Sequence, residues 1–374
     1  MKCLPHSKLP QAQGNVLHDW HAEILCLRSL NHFLLQEALS LLSTPSIPSQ
    51  FLQHRSPDTI TPASFQPFEL KPHIKLFMYC SEAPCGDASM ELTMAAQDDP
   101  TPWALPPPIS NPGKEEDENT KPELPGRANF QLLGYVRRKP SRPDAPATLS
   151  KSCSDKLATT QYTSLLSSLT SLFISPQNMY LDSLILPETQ YSQSGFTRCF
   201  STRLADLQNQ IVKSSLTKTG YGFYVIGIKT TAREFVYSRR YVNAELKAKV
   251  PEYVSSNIST SWILGDGKIG GETLVNGALQ GRKQFDVRGA SRVCRRKGWK
   301  LGIEILAAMT AMAKIDRGQE IVERMRKCLV VDSYRDLKES EMLEGRRTVK
   351  EEVRECLGGW VRNEGDDGFG VEIS

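Results

Sequence analysis

Apolar and polar positions alternate most regularly between His21 and Leu42. Ile24, Leu25, Leu27, Leu30, Phe33, Leu34, Ala38 and Leu41 recur at the helical period and predict a helix, with Asp19 in cap position just ahead of it. Ser43 to Pro72 is rich in Ser, Pro and Gln and reads as loop. Ile74 to Tyr79 alternates as a strand and runs into Pro84-Cys85-Gly86, after which Asp87 to Leu92 opens another helix. That order places Cys85 at a helix N-terminus, where the backbone dipole favours a thiolate. Helical spacing returns from Lys156 to Ile174; a strand is expected over Met179 to Leu186 and a helix over Ser194 to Leu207. Short strands are expected at Tyr221 to Ile228, Phe235 to Tyr237, Ser261 to Leu264 and Glu272 to Val275, with the Gly-Asp-Gly at 265–267 turning between the last two. Leu301 to Ala313 and Asp332 to Trp360 are mostly helical, and no internal repeat is visible.

Composition narrows the class without naming a chemistry. The chain has 374 residues, 39% hydrophobic and 24% charged, which is ordinary for a soluble globular protein. A formal charge of +4 is too small to be informative, so any nucleic-acid surface must be a local patch. Nine cysteines without regular spacing do not form a disulfide framework and suit a reducing compartment, where thiolates serve as metal ligands. No apolar stretch approaches the roughly 20 residues that cross a bilayer, and the first residues lack the apolar core of a secretory signal. An intracellular protein, nuclear or cytoplasmic and without a membrane partner, is expected.

The chemistry is concentrated in three places. Val16 to Glu23 puts an imidazole, His21, two residues before a carboxylate, Glu23, at the head of the helical run. Cys85 and Cys153 each offer a thiol in a tight polar turn. One histidine and two cysteines can hold zinc with one position left open, the arrangement of a catalytic site. Zinc brings the pKa of a bound water to about 7, and Glu23 is then free to move protons. Zinc deaminases combine a His-x-Glu helix with a Pro-Cys element. Many carry both thiols as Pro-Cys-x-x-Cys, whereas here Ala88 stands three after Cys85, so Cys153 is the best candidate for the second. The plainer alternative makes His21 a capping residue and the cysteines small buried hydrophobes.

Residues 98–127 change character: Trp103-Ala104-Leu105-Pro106-Pro107-Pro108 is followed by Lys114-Glu115-Glu116-Asp117-Glu118-Asn119, with too little apolar content to fold. Because Cys85 before it and Cys153 after it must meet at one metal, this is expected to be a disordered insertion within a single domain, 1–374. Arg28 follows His21 by two helical turns and shares its face, and Lys156 follows Cys153 by three; both are expected to point inward, where a cation needs a counter-charge. Asp19 is expected to connect Lys156 to the metal edge. Arg137, Arg138, Lys139 and Arg142 form a basic loop ahead of Cys153 and are the preferred RNA contact, with a solvated loop as the alternative.

Lys2-Cys3-Leu4, His18-Asp19-Trp20-His21-Ala22-Glu23-Ile24, Pro84-Cys85-Gly86-Asp87-Ala88, Ser152-Cys153-Ser154-Asp155-Lys156 and Gly289-Ala290-Ser291-Arg292-Val293-Cys294 together resemble the deaminase domain shared by adenosine deaminases acting on RNA and the tRNA-specific adenosine deaminase 1 family. Met90 to Ala96 and Arg137-Arg138-Lys139-Pro140 look nearest to fungal members of the tRNA branch. The resemblance implies a cytidine-deaminase-like three-layer α/β fold, a central mixed sheet covered by helices. It implies hydrolytic deamination to inosine of the adenosine next to the anticodon of an alanine tRNA, with His21, Cys85 and Cys153 as zinc ligands and Glu23 as proton shuttle. It also implies a buried inositol hexakisphosphate held by Lys2, Arg28, Lys156, Arg295, Tyr334, Lys338, Lys350 and Trp360. Leu27 and Thr159 stand where some relatives have arginine, and His18 replaces an asparagine, so fewer contacts to the polyphosphate are expected. Relatives carry several dozen residues before the position of Lys2, so a chain shortened at its start is expected. A catalytically inactive tRNA-binding homologue and a cytidine deaminase are the alternatives, and no obligate protein partner is implied.

Overall fold

A computed structural model describes residues 2–95, 124–126, 132–139, 146–211, 218–246, 256–264, 270–312 and 317–372. After a short helix α1 (Leu9–Ala12), the apolar stripe folds into α2 (Ala22–Ser43), burying Ile24, Leu25, Leu34, Leu35, Ala38, Leu41 and Leu42. Its N-cap is His21 rather than Asp19; the Asp19 carboxylate accepts the His21 N–H at 3.1 Å and is itself buried. The stretch expected as loop holds two three-residue strands, β1 (Leu52–His54) and β2 (Phe68–Leu70), paired antiparallel. Three residues are too few to display a period of two, so the spacing could not reveal them.

Strand β3 (Leu76–Tyr79) leads through the Cys85 turn into α3 (Met90–Ala95). Beyond it, β4 (Leu124–Pro125) pairs parallel with β5 (Arg137–Arg138). Helix α4 (Cys153–Thr163) is capped by Ser152, whose side chain accepts from the Asp155 N–H, and it stops at Ser164, where φ is 60°, well short of Ile174. Then follow β6 (Leu181–Pro187), α5 (Gln193–Phe200), α6 (Ala205–Ile211) and β7 (Gly227–Thr231). Strands β3, β6 and β7 form a parallel sheet in that order. Phe235–Tyr237 is not a strand but part of the turn into α7 (Arg239–Leu246).

An antiparallel meander of β8 (Ile258–Trp262), β9 (Gly271–Val275) and β10 (Ala278–Leu279) comes next, followed by α8 (Arg295–Met312), α9 (Arg317–Leu329), α10 (Tyr334–Glu339) and α11 (Glu344–Leu357). Helix α9 was not expected; its apolar residues Ile321, Val322, Met325 and Leu329 lie scattered among six charges. Parallel and antiparallel sheets with packed helices give the α/β class the sequence implied. The Gly-Asp-Gly turn, Arg142 and all of 98–127 except 124–126 lie outside the described residues.

The core has three parts. Leu34, Leu35, Phe173, Trp299 and Met325 join α2, α8 and α9. Tyr162, Leu184, Phe196 and Val353 join the parallel sheet to α4, α5 and α11. Val16, Leu17, Trp20 and Leu274 close the start of α2 against the meander. Fully buried Trp299 donates Nε1 to the Leu329 carbonyl at 2.9 Å, so truncation to alanine should cost about 3–5 kcal/mol. The carboxyl ends of β3, β6 and β7 open into the loops that carry Cys85, Thr189 and Phe235, where ligand crevices form in open α/β sheets.

Candidate active site

Two turns meet at the thiols. The Cys153 N–H donates to Cys85 Sγ at 3.4 Å, the Ser154 N–H to the Cys85 carbonyl at 3.0 Å, and Ser154 Oγ to the Pro84 carbonyl at 2.8 Å. Gly86 makes the approach possible: its φ is +111°, and a Cβ there would fall 2.2 Å from Ser152 Oγ. A hydrogen bond between the thiols pulls Cys85 down to about 6, against burial, and pushes Cys153 up.

Each of these cysteines is followed two residues later by a buried aspartate anchored to an arginine. Asp87 accepts from Arg198 Nε at 3.0 Å and from the Gly134 N–H at 2.8 Å. Asp155 accepts from Arg203 Nη1 at 2.7 Å and from the Arg137 N–H at 2.9 Å. Nothing in the sequence reasoning found these supports, although the repeated Cys-x-Asp at 85–87 and 153–155 was a visible signal.

His21 stands on the other side of a buried charge network. Its Nδ1 lies 2.8 Å from Asp19 Oδ1 and 3.7 Å from Cys3 Sγ. Asp19 Oδ2 accepts from Lys139 Nζ at 2.9 Å, from Ser150 Oγ at 2.9 Å and from Lys156 Nζ. Lys139 Nζ also reaches Cys153 Sγ at 3.2 Å, so a single ammonium joins the His21–Asp19 pair to the thiols. Burial opposes the charged imidazole, yet the hydrogen bonds to Asp19 and Cys3 raise His21 to about 10. Burial likewise opposes the Asp19 charge, but Lys139 and Lys156 hold its carboxyl far below the usual range. The connection expected from Asp19 to Lys156 is present.

Among the described residues, the donor atoms that all lie within 4.8 Å of one another are those of Cys3, Asp19 and His21, so this imidazole faces Asp19 and Cys3 rather than completing a set with the two sulfurs. The donor chemistry still suits a borderline-soft divalent ion: two thiols in contact and an imidazole whose proton a metal would displace. Glu23, half-buried in the first turn of α2, makes no hydrogen bond or ion pair among the described residues. Its charge raises Cys85 and Cys153 but is among the smaller influences on them, behind the hydrogen bond between the thiols and their burial.

The basic loop is not the exposed cluster the sequence suggested. Arg137 is 1% exposed and donates Nη2 to the Leu132 carbonyl at 2.6 Å; Lys139 is buried between Asp19 and Cys153. Pairing of β4 with β5 and the pull of Asp19 turn these cations inward, and Arg138 is half-buried. Arg137 and Lys139 therefore offer no surface to a phosphate backbone.

Behind Asp19 the interior is basic. Lys350 is held well below the ordinary lysine value by desolvation first and then by Arg346, Arg354, Lys338 and Arg295; its Nζ donates to Ser168 Oγ at 2.9 Å. Arg28 is lowered by desolvation and by Arg295, and its Nε has no hydrogen-bond partner. Both side chains are half-buried. Tyr334 lies under Arg295 and Lys338, at 5.8 and 5.6 Å, and Trp360 under Lys151 and Arg354, at 5.6 and 5.7 Å. Arg346, Arg354 and Lys151 were not anticipated. Lys2 is half-buried, lowered by desolvation, and Glu23 is the charge that acts on it. Asp366 and Asp367 neutralise part of the set: Asp366 takes His18 at 2.6 Å and Arg295 at 3.5 Å, Asp367 takes Lys338 at 2.9 Å.

Residues 1–364 match the adenosine-deaminase (editase) domain. The chain belongs to that domain family. Among its relatives is the tRNA-specific adenosine deaminase 1 of Schizosaccharomyces pombe, 34% identical over 316 residues, 83% of this chain and 72% of that protein. The Saccharomyces cerevisiae protein of the same name is 39% identical over 215 residues, 56% of this chain and 50% of its own. That of Drosophila melanogaster is 26% identical over 214 residues, 57% of this chain and 46% of its own. The chain thus spans about half the length of the latter two.

Proposed function

We propose that this editase-domain chain deaminates adenosine to inosine in tRNA, at the position next to the anticodon, with zinc held by His21, Cys85 and Cys153. The observation that carries the reading is two contacting thiols that Lys139 ties to the Asp19–His21 pair, with Glu23, two residues after His21, free of hydrogen bonds and ion pairs among the described residues. Zinc, when bound, would supply a water acidic enough to attack at neutral pH. With the metal in place, Glu23 would move two protons in turn: the first from the attacking water to the ring nitrogen, the second from the hydroxyl that water becomes to the departing ammonia. Lys139 would steady a Cys153 thiolate once a metal is bound, and Asp19 fixes the imidazole. The names of the relatives support tRNA over other RNA, and an unpaired anticodon-loop adenosine is cheap to extrude into such a site.

The same reading assigns the basic interior to a buried polyphosphate of the inositol hexakisphosphate kind, contacted by Arg28, Arg295, Lys338 and Lys350 with Lys156, Tyr334 and Trp360. The support is an excess of desolvated cations over carboxylates around Lys350, a situation that a bound polyanion relieves. Lys2, facing Glu23, is the weakest member.

The test is inosine formation in alanine tRNA transcripts by purified chain of measured metal content. Inosine at a single anticodon-loop position, with cytidine untouched, is expected. Zinc-loaded protein that leaves every adenosine intact would sink the enzyme reading and leave the tRNA-binding homologue.

A further inference from the structure

The turn between β7 and α7, Arg233-Glu234-Phe235-Val236-Tyr237-Ser238-Arg239-Arg240-Tyr241, interleaves three aromatic rings with three arginines. Its rings face solvent: Phe235 is 44%, Tyr237 80% and Tyr241 37% exposed, with Phe235 and Tyr237 edge to face at 5.5 Å. This turn is also pinned at its base. Glu234 accepts from Thr189 Oγ1 at 2.5 Å, beyond the end of β6, and from Arg240 Nη2 at 3.1 Å. Arg240 in turn donates to the Ser81 carbonyl at 2.7 Å and to Glu82 at 2.9 Å, beyond the end of β3. Glu82 stands three residues before Cys85. A pair of exposed rings is thereby held to the rim from which the candidate metal ligand is delivered.

We infer that this turn is a stacking platform for unpaired bases of the RNA that enters the Cys85 crevice, with Tyr237 and Phe235 as the faces and Arg233 as a phosphate contact. The inference rests on the tRNA reading above and adds to it where the RNA lies. Three features favour RNA over a protein partner. The exposed apolar surface is aromatic, and aromatic faces stack on every base. Arg233 and Arg239 flank it, the sign a phosphate backbone needs. The bracing removes the ordering cost that a mobile loop would add to binding. The buried Arg137 and Lys139 leave the role of surface contact open, and this turn fills it.

The experiment uses the full zinc-loaded chain and intact tRNA, following both binding and inosine formation. Tyr237→Ala and Phe235→Ala should each weaken tRNA binding and raise KM by about five- to hundredfold, as loss of one stacked base does, with the loss confined to KM. Tyr237→Trp should restore binding and Tyr237→Leu should not. Arg233→Gln should lower the slope of log affinity against log salt by about one. Thermal melting of Tyr237→Ala should match the parent, because the ring is mostly in solvent. Unchanged affinity in both alanine variants, rescue by leucine, or absence of tRNA binding in the parent would each overturn the platform. A parent that makes inosine while Tyr237→Ala binds normally keeps the deaminase reading and loses the platform. A parent that makes no inosine while Tyr237→Ala still weakens binding does the reverse.

Discussion

The thiol turns and the basic interior both bury charge, and they balance it differently. Around Cys85 and Cys153 each buried acid has its base: Asp19 with Lys139 and Lys156, Asp87 with Arg198, Asp155 with Arg203. Around Lys350 the cations outnumber the acids, and the lysine is pushed toward neutrality. A set of charges complete in itself rigidifies a reactive centre; a set with one sign in excess marks room for a guest. Under the proposed function, the pair of regions would separate the groups that do chemistry from the groups that receive a ligand.

The largest effect expected is at Glu23. Glu23→Gln should lower inosine formation by about a thousandfold or more, at the strong end for a lost acid–base group, with metal content unchanged. Loss of metal instead would mean that Glu23 is a ligand. Arg203→Ala comes next: it strands Asp155, which is fully buried, and should cost about 3–5 kcal/mol in denaturant unfolding. A cost below 1 kcal/mol would show that the thiol turns do not depend on their aspartates.

Acid should act through His18, which burial, ahead of the Arg295 charge, lowers to about 4 despite the Asp366 hydrogen bond. Its contacts fit a neutral ring, with Nε2 donating to Asp366 and Nδ1 accepting from Asn363 and Arg295. The unfolded chain gains the proton below about 6.5, the folded chain not until about 4. Stability is thus full above that window and drains as pH falls through it, by about 3 kcal/mol. Asp366, also lowered, loses stability in the same direction. His18→Asn should flatten the melting temperature between pH 6.5 and pH 4.5, leaving the share carried by His32, lowered to about 4 as well. The smallest effect separates a filled interior from an empty one. Lys350→Met should cost about 1.5–3 kcal/mol and reduce co-purifying phosphate if the polyanion is there. A rise in melting temperature would mean that the cations face only one another.

The long helix α2 and the strand–Cys85–helix order were legible because each shows a period over enough residues. The strands β1 and β2 and the early stop of α4 at Ser164 were not, since three residues carry no period and one left-handed dihedral leaves no mark on hydrophobic spacing. Arg137 and Lys139 read as a surface loop because a run of cations carries no sign of the carboxylates that draw it inward; Asp19 and Asp155 are distant in sequence. Residue type singled out His21, Cys85 and Cys153 as candidates; the fold brings the two cysteines into contact and turns His21 toward Asp19 and Cys3. The Lys139 bridge between Asp19 and Cys153 needed coordinates.

The ligands proposed at 21, 85 and 153 come from separate parts of the chain, and the first two lie before and after β3 in sequence. In small zinc modules neighbouring ligands let the ion drive folding, and removing it unravels them. With the proposed ligands this far apart in sequence, the ion would be admitted to all three only once α2, β3 and α4 have docked. Chelation should therefore leave a folded, inert apoprotein that regains turnover on adding metal.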